Sequence, residues 1–168
     1  ADTNIAGVQL PGHYTIDGQS LALNGAGVRS KFFVKVYVGA LYLAKKQTSP
    51  EQVIAAQGPK SMQMHILYDE IEAAKITDGW DEGFSSNTSA DTLAGLNSRL
   101  TAFNKLFPGL RKGDTVYMDY RPGTGTTVTI NDRQAGVIEG EDFFSALLRV
   151  WIGDHPADKA MKKGLLGD

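Results

Sequence analysis

The sequence lacks several features that define large classes of proteins. None of its 168 residues is cysteine, which excludes disulfide bonds and thiolate metal ligands but is compatible with any compartment. No apolar run approaches the ~20 residues that a membrane-spanning helix needs, so no integral membrane segment is predicted. The formal net charge of -2 gives no electrostatic reason to expect nucleic acid or an anionic membrane as a partner.

Motifs for metal and cofactor chemistry are also scarce. The three histidines, His13, His65 and His155, lie far apart and show no ligand spacing such as HExxH. There is no GxSxG nucleophile elbow. The Gly25-Ala26-Gly27 triplet lacks the third glycine and the following helix of a dinucleotide fingerprint. We therefore predict neither a metal site nor a nucleotide cofactor.

The composition is that of an ordinary globular protein, with 42% hydrophobic and 21% charged residues. At this length, a single domain covering residues 1–168 is the simplest organisation. Strand patterns dominate up to about residue 68, helical patterns follow to 107, a β-meander covers roughly 115–138, and helices close the chain. This order predicts an α+β fold, with helices on one face of a largely antiparallel sheet.

Capping signals predict where the helices begin. Ser49 and Ser89 are each placed to cap a helix. Asp69 and Glu72 resemble a capping box, which predicts that a further helix starts at Asp69. Asp154 is predicted to begin the last helix, ahead of a proline suited to a first turn.

The stretch LNGAGVRSKFFVKVYVGALYL, residues 23–43, organises the rest of the chain. Gly25 and Gly27 predict a sharp bend just before Arg29. A strand pattern then starts at residue 32, with an apolar even-numbered face and an odd-numbered face that includes Lys35 and Tyr37. This pattern fits either a hairpin with a surface arginine or a strand that floors a ligand cleft.

Arg29 is the strongest candidate for a chemical role. A guanidinium stays charged and offers a fork of donors, which suits carboxylates, enolates or phenolates. Tyr37 on the adjoining strand would add a hydroxyl donor. The residues alone thus indicate a hydrophobic ligand site with an anion-binding end.

Three segments resemble the chalcone isomerase superfamily, and specifically its bacterial chalcone isomerase-like branch. They are residues 23–43, FPGLRKGDTVYMDY and GVIEGEDFFSALLRVWIGDHPADKAMKKGLLG. The similarity runs collinearly from about Val8 to Gly167. It implies an open-faced β-sandwich, in which a helical layer packs on an antiparallel sheet and a cleft lies between them.

The resemblance also assigns roles to residues. The arginine of the family's GxGVR motif, which stabilises an enolate in the isomerases and a carboxylate in fatty-acid binders, corresponds to Arg29. Tyr37 stands where isomerases have threonine and fatty-acid binders have tyrosine. Asn87 is retained, whereas Trp80 and Val150 replace hydroxyl-bearing residues of the enzymes, and losing one such donor typically costs about 10²–10³ in rate.

The resulting prediction is a non-catalytic binding protein for a fatty-acid-like ligand. Arg29 and Tyr37 would hold the anionic head group, and the walls would comprise Trp80, Phe84, Asn87, Val150 and Trp151.

Three alternatives stay open at this point. One is an isomerase or intramolecular lyase of the chalcone isomerase type, with Arg29 as electrophile assisted by Tyr37 or Asn87. A second is haem binding, although no cofactor is the primary expectation. A third is a purely structural role in which Arg29 pairs with an internal carboxylate.

The first residues, ADTNIAGVQLP, contain neither an initiator methionine nor a hydrophobic leader. They favour a mature exported protein, periplasmic in a bacterium, with a cytoplasmic location as the alternative.

Overall fold

Residues 2–167 are described by a computed structural model of the chain. The strands are β1 (Thr3–Ile5), β2 (Val8–Leu10), β3 (His13–Ile16), β4 (Gln19–Lys31), β5 (Val34–Leu43), β6 (Lys60–Ile66), β7 (Glu70–Ile71), β8 (Leu110–Arg111), β9 (Thr115–Arg121), β10 (Gly125–Ile130) and β11 (Arg133–Ile138). The helices are α1 (Pro50–Ala55), α2 (Ala73–Asn87), α3 (Ala90–Asn104), α4 (Glu141–Ile152) and α5 (Lys159–Leu165). No helix in this part of the chain is long and apolar enough to cross a bilayer.

Seven strands form the main sheet, in the order β11-β10-β9-β6-β5-β4-β3. Every neighbouring pair is antiparallel. The predicted α+β architecture with an antiparallel sheet and a helical layer is therefore confirmed. Two short antiparallel pairs, β1-β2 and β7-β8, lie outside the main sheet.

From Tyr37 to Leu43, strand β5 is buried on both sides of the sheet, and its successive side chains enter two different cores. Tyr37 and Leu41 belong to the large core that the sheet shares with the helices. Val38 and Ala40 belong to a smaller core that the N-terminal strands cover, including Leu10. We call these two sides of the sheet the helix face and the outer face.

The turn between β4 and β5 differs from the prediction. The sequence pattern placed Phe32 and Phe33 in the strand, whereas the structure makes them a two-residue turn with φ of 52° and 66°. Both side chains are exposed. Alternation alone could not reveal this turn, because neither residue is typical of a left-handed conformation.

The β4-β5 register shifts between Leu23 and Gly25 and again between Arg29 and Ser30, so the predicted bend is present only as a local irregularity within a strand that includes both Gly25 and Gly27. Their lack of a side chain instead allows α5 to approach the strand closely. A Cβ at Gly27 would lie 2.9 Å from the Cα of Met161. The amide of Asn24 fastens the end of this helix by donating to the Leu165 carbonyl at 2.8 Å.

The cap predictions were right at the two serines and wrong at the two acidic starts. Ser49 and Ser89 each accept a hydrogen bond from a backbone N–H in the first turn. The region of the predicted capping box instead contains β7, whose Ile71 pairs with Leu110, and Glu72 makes no side-chain cap bond. This pairing holds the chain extended, so α2 starts only at residue 73.

The last helix begins after Asp158, whose carboxylate accepts from the Met161 N–H at 3.0 Å. Asp154 was therefore the wrong start. The preceding segment is held out of helical conformation by other bonds, including Ala157 N–H to the Val150 carbonyl at 2.9 Å.

Candidate functional site

A cleft of about 630 Å³ opens between the helix face of the sheet and α2. Its floor comes from β4, β5 and β6, and its opposite wall from α2 and the β7 region. Val150 reaches it from α4. The lining residues are Arg29, Lys31, Phe32, Val34, Val36, Tyr37, Met64, Ile66, Tyr68, Glu70, Ile71, Glu72, Lys75, Ile76, Gly79, Trp80, Leu110 and Val150.

Arg29 is half-buried in this cleft, near the end of β4, and lies opposite Tyr37 in the strand register. No carboxylate of residues 2–167 lies within the 4.0 Å that would make an ion pair with it. Asp158, at the start of α5, directs its oxygens to the N–H groups of Ser30 and Met161. The alternative in which Arg29 pairs with an internal carboxylate is therefore not what the described residues show.

Tyr37 is buried, and a hydrogen bond from Trp151 fixes the position of its hydroxyl group. The indole N–H of Trp151 donates to the Tyr37 oxygen at 2.8 Å. Burial raises the pKa of Tyr37, although the charge of nearby Arg29 and the Trp151 bond oppose this shift. Because the oxygen acts as acceptor toward Trp151, the hydroxyl proton is left for another acceptor.

Trp80 of α2 lines the cleft wall and carries an indole N–H. Its ring packs edge-to-face on Trp151, with ring centroids 5.6 Å apart. Its indole N–H is buried and has no hydrogen-bond partner among the described residues. An unpaired buried donor costs roughly 1–3 kcal/mol, so an acceptor supplied by a ligand or water would be stabilising there.

Two glycines of α2 shape the cleft. A Cβ at Gly83 would lie 2.8 Å from Val150 Cγ1, so glycine allows α4 to pack closely there. Gly79, one turn earlier, lines the cleft and has nothing within 4 Å of the position where its Cβ would be. Gly79 therefore leaves open space that a larger side chain would fill.

The structure brings together four of the seven predicted site residues: Arg29, Tyr37, Trp80 and Val150 all line the cleft. The other three lie elsewhere. Trp151 stands behind Tyr37.

Phe84 is fully buried in the core, where its ring packs against Phe143. Asn87 joins the end of α2 to a loop, because its amide donates to the His155 carbonyl at 2.9 Å and accepts from the His155 N–H at 2.8 Å. These two residues, predicted as cleft walls, support the helices that carry the wall.

The sequence reasoning missed most of the apolar lining. Met64 and Ile66 had a usable signal, because they share a face in the alternating strand β6. Ile76 lies four residues before Trp80 in α2, a spacing that places both on one face of the helix. By contrast, Ile71 and Leu110 reach the cleft through a pairing of two-residue strands, which is too short to leave a periodic pattern.

The charges around the cleft are unevenly placed. The β4-β5 side carries Arg29 and Lys31, and the opposite wall carries Glu70, Glu72 and Lys75. An anionic group is thus favoured at the strand side.

Residues 2–167 contain no group of three histidine, cysteine, aspartate or glutamate side chains that could hold a metal ion. None of the three histidines is among the cleft-lining residues. His65 is on the opposite face of β6 from Met64, close to the ring of Tyr117, and burial lowers its pKa.

A second groove, of about 720 Å³, runs between α2 and α3. Its lining is mainly polar and exposed, with Asp81, Asn97 and Lys105 among its residues. The cleft at Arg29 is the better candidate for a ligand, because it combines buried donors with an apolar floor.

Comparisons with known proteins agree with this architecture. No curated protein matches the chain. Among solved structures, the chain is similar to a fatty-acid-binding protein of Arabidopsis thaliana, with a TM-score of 0.76 and 16% identity over 99% of this chain and 96% of that one. A family model described as chalcone isomerase-like matches residues 2–167. The chain therefore belongs to the chalcone isomerase-like family.

Proposed function

We propose that this protein binds a fatty acid or a similar anionic amphiphile in the cleft at Arg29. The observation that carries the proposal is a guanidinium beside an apolar cleft without a carboxylate partner among the described residues. A cation withdrawn from water is costly unless an anion accompanies it.

Two hydrogen-bond donors of different kinds are available to the head group of the ligand. Arg29 offers a charged fork, and Tyr37 offers a hydroxyl proton because its oxygen already accepts from Trp151. A carboxylate has two oxygens and accepts both kinds of bond. Trp80, whose buried indole N–H has no partner among the described residues, lines the same cleft.

The apolar lining suits a hydrocarbon chain. Met64, Ile66, Ile71, Ile76 and Leu110 contribute aliphatic surface, and each methylene that they cover gains about 0.8 kcal/mol. The cleft volume of about 630 Å³ lies within the roughly 300–1,000 Å³ of small-molecule sites.

The name of the Arabidopsis protein adds support, since it describes a fatty-acid-binding protein of the same fold. Catalysis and haem binding have no comparable support. Trp80 and Val150 occupy positions where the resembling enzymes have hydroxyl groups, and the lining includes no histidine.

The test is a fluorescence displacement assay with cis-parinaric acid as probe and palmitate as competitor. Arg29→Gln should weaken palmitate binding about 10- to 100-fold, the value of a charge-assisted hydrogen bond. Tyr37→Phe should have a smaller effect in the same direction. Arg133→Gln, which removes an exposed arginine of β11, is the matched control and should leave affinity unchanged.

Palmityl alcohol, which has the same chain without the carboxylate, should bind wild type and Arg29→Gln equally. The proposal fails if wild type has no affinity for palmitate, or if the alcohol and the acid lose affinity alike in the Arg29 variant.

A further inference from the structure

The tip of the β4-β5 hairpin, residues 31–35, is the most exposed apolar feature of the described chain. Phe32 and Phe33 are 86% and 105% exposed, and Val34 is 44% exposed. Neighbouring side chains of the same protein therefore cover little of this surface. Clustered exposed apolar groups of this kind mark an interaction site.

The backbone at the tip does not favour phenylalanine. Phe32 and Phe33 have φ of 52° and 66°, which makes the connection a two-residue turn with both residues left-handed. Such turns favour Asn-Gly or Asp-Gly, and a bulky residue with positive φ is strained. Since the rings gain little packing within the chain, folding does not explain their presence.

Although the whole chain has a formal net charge of -2, the charged side chains of the hairpin tip itself are all positive. Lys31 and Lys35 are exposed and flank the two phenylalanines, and the stretch from Arg29 to Tyr37 contains no acidic residue. The Lys31 ammonium lies 6.0 Å from the centroid of the Phe32 ring. Aromatic rings bordered by lysines suit the boundary between acyl chains and anionic head groups.

The tip is also continuous with the cleft, because Lys31, Phe32 and Val34 belong to its lining. The acidic residues of the cleft, Glu70 and Glu72, are on the opposite wall, so they do not interrupt the basic tip.

We propose that the β4-β5 hairpin tip docks on the surface of an anionic lipid bilayer by inserting Phe32 and Phe33 among the lipids. Docking would place the cleft mouth at the membrane, where an amphiphile could pass between bilayer and cleft. This transfer role rests on the proposed function, whereas docking itself does not.

Docking is measured by flotation of the protein with phosphatidylcholine vesicles that contain about 30% phosphatidylglycerol. Phe33→Gly should lower vesicle affinity at least about tenfold, because it removes one ring from the interface. The substitution suits the left-handed conformation, so the variant should fold as well as wild type. Phe32→Asn combined with Phe33→Gly should lower affinity about a hundredfold.

Lys35→Gln tests the electrostatic part of the proposal. It should weaken binding to the anionic vesicles about fivefold and have little effect on pure phosphatidylcholine vesicles. Val137→Ser is the matched control. It removes an exposed apolar residue from β11, at the edge of the sheet farthest from β3, and should not change flotation.

Phe33 does not line the cleft, so Phe33→Gly should bind palmitate in solution as wild type does. Lost flotation with intact palmitate binding supports docking separately from ligand binding. The docking proposal is overturned if wild type does not float with anionic vesicles, or if Phe33→Gly floats equally well. It is also overturned if sedimentation shows a dimer that Phe33→Gly dissociates while flotation is unchanged.

Discussion

Asp119 and Arg29 are charged side chains in largely apolar surroundings on opposite faces of the main sheet, but they differ in their partners. On the outer face, buried Asp119 accepts hydrogen bonds from the hydroxyls of Tyr14 and Ser61, both at 2.7 Å. On the helix face, Arg29 has no carboxylate partner among the described residues. A polar network that is satisfied within the chain specifies and stabilises the fold, whereas an unsatisfied charge is available to a ligand.

The two faces also differ in packing, because the outer face is covered and the helix face contains an open cleft. The N-terminal strands cover the outer face, and Gln63 extends the hydrogen-bond network by donating to Ser61 at 3.2 Å. The helix face contains the open cleft, where Gly79 borders empty space. We infer that changes on the outer face mainly affect stability and that changes at the cleft mainly affect binding. The experiments below test that separation in order of their expected effect on the free energy of unfolding.

Asp119→Ala should have the largest effect. The substitution leaves the buried Ser61 hydroxyl and the part-buried Tyr14 hydroxyl without their acceptor, and an unpaired buried group costs roughly 1–3 kcal/mol. We expect the free energy of unfolding to fall by about 2–4 kcal/mol in urea titrations. Palmitate affinity of the folded variant should be unchanged. A parallel loss of affinity would show that the two faces are coupled.

Trp151→Phe should have an intermediate effect, since it acts on both stability and binding. It removes the N–H that the Tyr37 oxygen accepts at 2.8 Å, which should cost about 1–2 kcal/mol. Palmitate affinity should also fall severalfold because the Tyr37 hydroxyl loses its fixed orientation. A double-mutant cycle with Tyr37→Phe measures the coupling directly. Additive effects would contradict the assigned bond.

Gly79→Leu should separate stability from binding most clearly. A glycine inside a helix costs about 1 kcal/mol relative to a good helix former, and no atom obstructs a side chain at this position. We expect a gain in thermal stability together with a loss of palmitate binding, because the new side chain fills the cleft. Gly95→Leu in α3, where nothing lies within 4 Å either, should gain stability without losing affinity.

The fold was largely predictable from the sequence because its strands alternate and its helices have apolar faces. The β-meander and the serine caps of α1 and α3 followed from local patterns. The start of α2 and the β4-β5 turn did not. Both depend on long-range pairing or on residues with unusual φ, which local patterns do not encode.

The candidate site was predictable only in part. Arg29 and Tyr37 were found because polar residues in an apolar stretch are conspicuous, and the family resemblance indicated Trp80 and Val150. The role of Gly79 could not be predicted, because the sequence does not show whether the space beside a glycine is open or filled. Asn87, which the resemblance had assigned to the site, bonds the backbone of His155 instead of lining the cleft. The exported location stays a prediction.

The pH dependence of stability should also differ between the two faces. Burial raises the pKa of Asp119 above its ordinary value of 3.8, although hydrogen bonds from Ser61 and Tyr14 partly oppose the shift. Between these two pKa values the folded protein binds more protons than the unfolded chain, so the contribution of Asp119 to stability falls as pH rises. Asp119→Asn lacks this titration.

The free energy of unfolding of wild type minus that of Asp119→Asn should therefore decrease from about pH 4 to about pH 7 in urea titrations. An increase would mean that the pKa of Asp119 is lowered in the folded protein and that its ionised form is the stabilising one. Palmitate affinity over the same range should depend on ionisation of the ligand's carboxyl group, because the ionised carboxylate is the form that a guanidinium binds. The affinity profiles of wild type and Asp119→Asn should consequently coincide, since the titrating carboxylate and the ligand occupy opposite faces of one sheet.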